Sequence, residues 1–180
     1  GVKKFADSCQ KNGVDGLIIV DLQPEEDSEL LLAIQSTDIN LIRLITPTTN
    51  SERLKTILKC SSGFLYYVTI TGITGQQSAN IEDLKKSIKE IRKHTDLPII
   101  SGFGIKNKKH VSEVCKVCDG AVVGSSLVKI IEENLDDSKR TISIISISLS
   151  IWTRLSAIRD TLLLQFPLGR FNVYSLILFA

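Results

Sequence analysis

The sequence predicts a parallel α/β fold, and two observations support that prediction. Short runs of β-branched and aromatic residues recur along the chain, and segments with helical spacing of apolar residues separate them. The runs are apolar throughout instead of alternating, which is typical of parallel strands covered on both faces. Repeated strand–helix units of this kind imply a parallel sheet. The five predicted strands lie at residues 17–20, 41–45, 63–68, 97–101 and 120–123.

The segments between the predicted strands carry helix signals. Acidic residues 25–27 precede a run of leucines, Ser51 precedes a helical pattern that ends at Leu58, and Asn80 precedes apolar residues at helical spacing. Acidic residues and polar caps favour the start of a helix. An eight-unit barrel normally needs ~250 residues, so in that fold about strands four to eight would be present and roughly the first three units absent.

Composition limits the possible partners and the cellular compartment. A chain of 180 residues with 43% hydrophobic content can bury the core of one domain. The formal net charge is +2 and no basic stripe is visible, so we expect no nucleic-acid partner. The chain has too few cysteines for a disulfide scaffold, which favours a reducing, cytoplasmic location. They are Cys9, Cys60, Cys115 and Cys118.

Two glycine-containing segments follow the last two predicted strands. Residues 102–104 read Gly-Phe-Gly, and residues 124–126 read Gly-Ser-Ser. Glycine lets backbone N–H groups approach an anion, and phosphate sites of α/β barrels frequently lie on the loops after strands seven and eight. The pair of segments therefore predicts a phosphate site, although glycines that only terminate strands remain the alternative. A third segment, with Gly72 and Gly75, predicts a lid loop or an ordinary flexible connection.

In order and spacing, five segments resemble the alpha subunit of tryptophan synthase: GVDGLIIVDLQPEE, ITPTTNSERL, GFLYYVTITGITG, DLPIISGFGIKN and DGAVVGSSLVKIIEEN. The resemblance covers about residues 1 to 134 and places residues 1–140 in the C-terminal portion of a (β/α)₈ TIM barrel. It implies a lyase that cleaves indole-3-glycerol phosphate to indole and glyceraldehyde 3-phosphate. It also implies no cofactor in this subunit and an alpha2beta2 complex with a beta subunit that carries pyridoxal phosphate.

The same resemblance implies a set of binding residues. Without the resemblance, the five indole positions given below would be interpreted as plain barrel core, since branched residues fill barrel interiors. Thr74 would belong to the lid and would hydrogen-bond to the catalytic aspartate when the lid closes. The phosphate-binding backbone groups fall at Gly75, Phe103, Gly104, Gly124 and Ser125, and the indole-binding side chains at Ile18, Val20, Leu44, Tyr66 and Val68.

The chain departs from the family pattern where the chemistry is concerned. The acid and base carboxylates of the family lie on early strands that precede residue 1, so no catalytic residue is assigned here. Asp21 and Asp7 are the possible substitutes for this acid and base. Asp21 matches a different family aspartate and Asp7 lies on a helical, solvated stretch, so we expect neither to serve. Ile70 occupies a position that is often arginine in bacterial members, and Gln23 replaces a proline, which would loosen a loop near the partner interface. The alternative function is an inactive fragment that keeps the phosphate and indole half-site.

Two remaining features predict no further site. Cys115 and Cys118 form a single CxxC, whereas structural zinc needs about four ligands, so we predict no metal and expect the thiols to be buried apolar groups. His94 and His110 lie among lysines and are expected to be solvated. Residues 141–180 contain no lysine and no glutamate, and their apolar runs fall short of the ~20 residues of a membrane span. We interpret this tail as an off-family segment joined by a frame or splice change, with a membrane-surface anchor as the alternative.

Overall fold

A computed structural model describes residues 1–68, 81–102, 108–122, 129 and 131–134. In this part of the chain, five strands alternate with helices and form one parallel sheet in the order β1-β2-β3-β4-β5. The strands are β1 (Gly16–Ile18), β2 (Asn40–Ile45), β3 (Leu65–Val68), β4 (Ile99–Gly102) and β5 (Gly120–Val122). The helices are α1 (Val2–Lys11), α2 (Ser28–Ile34), α3 (Ser51–Leu58), α4 (Ile81–Ile91) and α5 (Lys108–Val114). The parallel α/β fold and the presence of five strands are confirmed, although the bounds of several strands differ from the predicted ones by one or two residues.

The helices pack on one face of the sheet and divide its apolar residues into two cores. Leu17 and Leu41 pack with buried residues of α1 and α2, such as Ala6 and Leu30. A larger core joins the next strands to α3, α4 and α5, with Leu65 fully buried at its centre. The strand residues of this larger core are Ile45, Leu65, Tyr67 and Ile99. Because strand side chains alternate between faces, the residues between them point to the other face, which would be the interior of a closed barrel.

Polar contacts fix the ends of these elements. At the start of α3, the side chain of Asn50 accepts a hydrogen bond from the backbone N–H of Arg53 at 2.8 Å, as an N-cap does. At the amino ends of β4 and β5, one carboxylate oxygen of Asp119 accepts from the N–H of Ile99 at 2.8 Å and from Arg92 at 2.6 Å. In (β/α)₈ barrels the amino end of the strands typically serves stability, whereas the active site lies at the carboxyl end.

The first predicted strand was wrong at its carboxyl end. The sequence predicted a strand through residue 20, but β1 ends at Ile18 and the chain turns there, with the N–H of Leu22 donating to the carbonyl of Ile19. Val20 therefore lies in the turn and its side chain is 70% exposed. A continuous apolar run does not reveal where strand pairing stops, because the turn hydrogen bond involves only backbone atoms.

Candidate functional site

The carboxyl ends of the five strands form one edge of the sheet, which is the edge where barrel enzymes bind their substrates. Gly102 and Val122 are register partners at this edge. The first predicted phosphate segment begins at Gly102 itself and the second begins two residues after Val122, so in the sequence both segments follow neighbouring strands at this edge. The predicted phosphate and lid residues themselves lie outside the described part of the chain: Thr74, Gly75, Phe103, Gly104, Gly124 and Ser125.

Four of the five predicted indole residues share the face of the sheet opposite the helices. Leu44 and Tyr66 are direct register partners, and Val68 lies two residues beyond Tyr66 on the same strand. Ile18 lies on this face of β1 beside its register partner Ile42. Tyr66 is buried, whereas Ile18, Leu44 and Val68 are half-buried. The structure thus brings these side chains into one continuous apolar wall, which we call the inner wall.

Tyr66 leans along β4 toward the carboxyl edge. Its register partner is Ile100, but its hydroxyl group lies against Gly102, where a Cβ atom would stand 2.0 Å from the hydroxyl oxygen and 2.6 Å from Cζ. Only a glycine leaves room for the ring at this distance. Burial raises the pKa of Tyr66 above its ordinary value, which is already well above neutral pH, so the hydroxyl group is protonated and can donate a hydrogen bond. The contact places a polar group at the junction of the inner wall and the first phosphate segment.

Val20 and Asp21 lie in the loop between β1 and α2, which we call the β1–α2 loop (residues 19–27). Both side chains are exposed. The guanidinium group of Arg43 on β2 donates from Nη1 to the carbonyl oxygen of Leu22 at 2.9 Å and forms an ion pair with Asp27. An arginine inside the apolar run LIRLI is the one sequence signal for this contact, since a buried charge requires a partner.

A second arginine contacts the same loop from α3. Arg53 donates to the side-chain oxygen of Gln23 at 2.8 Å and forms an ion pair with Glu25. This hydrogen bond from Arg53 lowers the pKa of Glu25. The sequence led us to expect that Gln23, in place of a proline, loosens the loop; the structure shows that the glutamine side chain is itself a point of attachment.

The described residues hold no group of three His, Cys, Asp or Glu side chains arranged to bind a metal ion. Asp7 is exposed on α1, where it pairs with Lys3 at 3.7 Å, as expected. The side chain of His94 after α4 is only 27% exposed and lies 4.0 Å from Glu90, and the side chain of His110 lies outside the described residues. In the same described portion, no helix is long and apolar enough to cross a membrane.

The thiols of the chain differ in burial, and Cys115, which was expected to be buried like Cys118, is only half-buried. Cys118 is buried in the larger core, as expected, and burial raises its pKa to about 12, with the charge of Asp119 adding to the effect. Cys60 is half-buried. At about pH 8 we therefore expect iodoacetamide to modify Cys60 well before Cys118, because the thiolate is the reactive species. Peptide mass spectrometry over a time course measures both modification rates. The two rates should become similar in denaturant, and similar rates in the folded chain would contradict this prediction.

The chain is similar to known proteins in both sequence and structure. The family model described as tryptophan synthase alpha chain matches residues 1–150. The tryptophan synthase subunit alpha from Campylobacter jejuni is 40% identical, with a TM-score of 0.68 over 76% of this chain and 55% of that chain. The subunit alpha from Legionella pneumophila strain Paris is 31% identical, with a TM-score of 0.68 over 79% of this chain and 52% of that chain.

A tryptophan synthase complex from Pyrococcus furiosus gives a similar match, with 31% identity and a TM-score of 0.62 over 74% of this chain and 52% of that chain. The chain spans about half the length of these solved relatives. Its five strands and their helices correspond to part of a (β/α)₈ barrel, as the sequence predicted.

Proposed function

Because the chain belongs to the tryptophan synthase alpha chain family, a family of lyases in tryptophan biosynthesis, we propose that it serves the cleavage of indole-3-glycerol phosphate. The products are indole and glyceraldehyde 3-phosphate. The observation that carries this proposal is the inner wall, whose register-matched side chains end at the edge where both glycine-containing segments begin. A flat apolar ring fits against such a wall, and a phosphate group fits backbone N–H groups at the edge.

In this proposal the residues of the chain bind and orient the substrate. The indole ring lies against Ile18, Leu44, Tyr66 and Val68, with Val20 at the mouth of the pocket. The phosphate accepts hydrogen bonds from the backbone at Gly75, Phe103, Gly104, Gly124 and Ser125, and Thr74 belongs to the lid. We propose that this subunit uses no cofactor, and that it works in the cytoplasm with a beta subunit that carries pyridoxal phosphate, in an alpha2beta2 complex.

The bond between the indole ring and the glycerol phosphate chain breaks only if two positioned groups move protons. One adds a proton to the ring carbon and the other removes a proton from a side-chain hydroxyl. We assign neither role to a residue of this chain. The second candidate function is therefore a binding half-site without catalysis. One observation favours it: in the described part of the sheet, β1 and β5 each have a neighbour on one side only.

The 180-residue chain alone is expected to release no indole above background from indole-3-glycerol phosphate, because a positioned acid and base are both required. Indole release can be followed by fluorescence, with a complete alpha subunit as the positive control. Release at a rate comparable with that control would contradict the assignment of both proton-transfer groups to residues outside this chain.

The binding part of the proposal is tested by titration with glycerol 3-phosphate. We expect the backbone amide signals of Gly104 and Ser125 to move in an NMR titration, since phosphate oxygens accept hydrogen bonds from backbone N–H groups. Glycerol without the phosphate group is the matched control and should leave both signals in place. Equal effects of the two ligands, or none at millimolar concentration, would rule out the phosphate site.

A further inference from the structure

Arg43 reaches the β1–α2 loop from the side of the sheet that faces the helices. It lies on β2 between Ile42 and Leu44, and its register partner is Leu65, which belongs to the helix-packed core. Its residue exposure is only 4%. Because strand side chains alternate, Arg43 points away from the inner wall and cannot touch a ligand bound there. Any effect of Arg43 on the site must therefore act through the loop.

The guanidinium group attaches the loop at two points. Nη1 donates to the carbonyl oxygen of Leu22, directly after Asp21, and Nη2 pairs with Asp27, directly before α2. Asp27 is 3% exposed and its side chain makes no cap hydrogen bond to the helix, so its carboxylate serves the ion pair. The planar fork of an arginine can make both contacts at once, which a lysine ammonium cannot do with the same geometry.

The other attachments of the loop are weaker. Within the loop, the N–H of Leu22 donates to Ile19 at 3.4 Å and the N–H of Glu26 donates to Gln23 at 3.0 Å. The ion pair between Arg53 and Glu25 lies at the surface, where solvent and salt screen it. The hydrogen bond from Arg53 to Gln23 is likewise exposed, whereas the Arg43–Asp27 pair is buried and the Arg43–Leu22 hydrogen bond is part-buried, so we expect the Arg43 contacts to restrict the loop most.

We propose that Arg43 is a positioning residue that fixes the β1–α2 loop at the carboxyl edge and so determines where Val20 lies at the mouth of the indole pocket. The fixing of the loop follows from the two contacts alone. The effect on the pocket rests on the proposed function. Arg43 performs this role without touching the substrate, from the opposite side of the sheet.

The decisive variant is Arg43→Met/Asp27→Leu in the full chain. It removes both attachments and leaves no unpaired buried charge, and apolar replacements of a buried ion pair often leave stability unchanged. We expect hydrogen exchange at the amides of Leu22 and Glu26 to accelerate about tenfold or more, since these bonds would open locally. Exchange at the amide of Arg92, which donates to Ile88 in α4, should not change.

The matched control is Arg92→Met, which removes an arginine–aspartate pair at the amino end of the sheet. It should leave exchange at Leu22 and Glu26 as in the parent chain. If the double variant does not fold, Arg43→Lys provides the test, with a smaller acceleration at the same two amides. Unchanged exchange at both amides in a folded Arg43 variant would overturn the proposal.

The pocket is tested with indole as the probe. In the parent chain and in Arg92→Met, we expect the methyl signals of Val20 to shift on indole addition, and in the double variant we expect the apparent affinity to fall severalfold. Equal affinity in all three chains would overturn the effect on the pocket. If the parent chain itself does not bind indole, the proposed function fails, whereas the exchange measurement still decides whether Arg43 fixes the loop.

Discussion

Replacing Gly102 with alanine is expected to destabilise the chain by about 1–3 kcal/mol, the usual range for overpacking a close contact. The new Cβ would stand 2.0 Å from the hydroxyl oxygen of Tyr66, 2.6 Å from its Cζ and 3.1 Å from the Cβ of Val122. A tyrosine ring is rigid and Tyr66 is buried, so the ring must move as a whole and disturb the inner wall. Urea denaturation of the parent and variant chains measures the change in the free energy of unfolding.

Two further variants separate this clash from a general effect of losing a glycine. Gly120→Ala is the matched control on β5, because the atoms nearest to its Cβ would be those of Ile100 at 3.6–3.7 Å, an ordinary contact. We expect Gly120→Ala to leave stability unchanged within about 0.5 kcal/mol or to raise it slightly. Tyr66→Leu removes the clashing atoms, so Gly102→Ala should cost less in the Tyr66→Leu background. Equal costs in both backgrounds would show that the tyrosine is not the cause.

The inner wall shows how far a sequence can predict this site. The runs around Leu44 and Tyr66 predicted neighbouring strands because parallel strands covered on both faces are apolar throughout. The sequence could not predict the contact between Tyr66 and Gly102, because the strand register pairs Tyr66 with Ile100 and the side chain then leans to the next residue on that face. The sequence indicates Gly102 only as part of a phosphate segment. The structure shows that a glycine is needed there because the Tyr66 ring leaves no room for a Cβ atom.

The same limit applies to Arg43 and to the end of β1. A single arginine in an apolar strand indicates that a partner exists, but Asp27 lies 16 positions earlier in the sequence and only the folded sheet brings the two together. The turn after Ile18 depends on backbone hydrogen bonds that no side-chain pattern reports. Apolar patterns thus predicted the layers of the fold, whereas contacts that depend on strand register or on turns required the structure.

Breaking the pair between Arg43 and Asp27 from one side is expected to have the largest effect on stability. Arg43→Met should destabilise the chain by about 3–5 kcal/mol, because it leaves the Asp27 carboxylate buried without a partner. Arg43→Met/Asp27→Leu should recover most of this loss, since no charge then remains to be buried. Denaturant unfolding of the parent, the two single variants and the double variant gives the coupling between the residues.

The pH dependence identifies the cause of that loss. If an unpaired carboxylate destabilises Arg43→Met, the penalty should shrink as the pH falls, because a neutral carboxyl group costs less to bury than a carboxylate. The double variant has no such group at either position, so its stability relative to the parent should stay constant over the pH range in which the paired carboxylate of the parent remains ionised. A penalty in Arg43→Met that stays constant with pH would instead point to lost packing of the arginine side chain. In that case the Asp27 carboxylate would have to be hydrated in the variant. Packing of the Arg43 side chain, more than its charge, would then stabilise the loop.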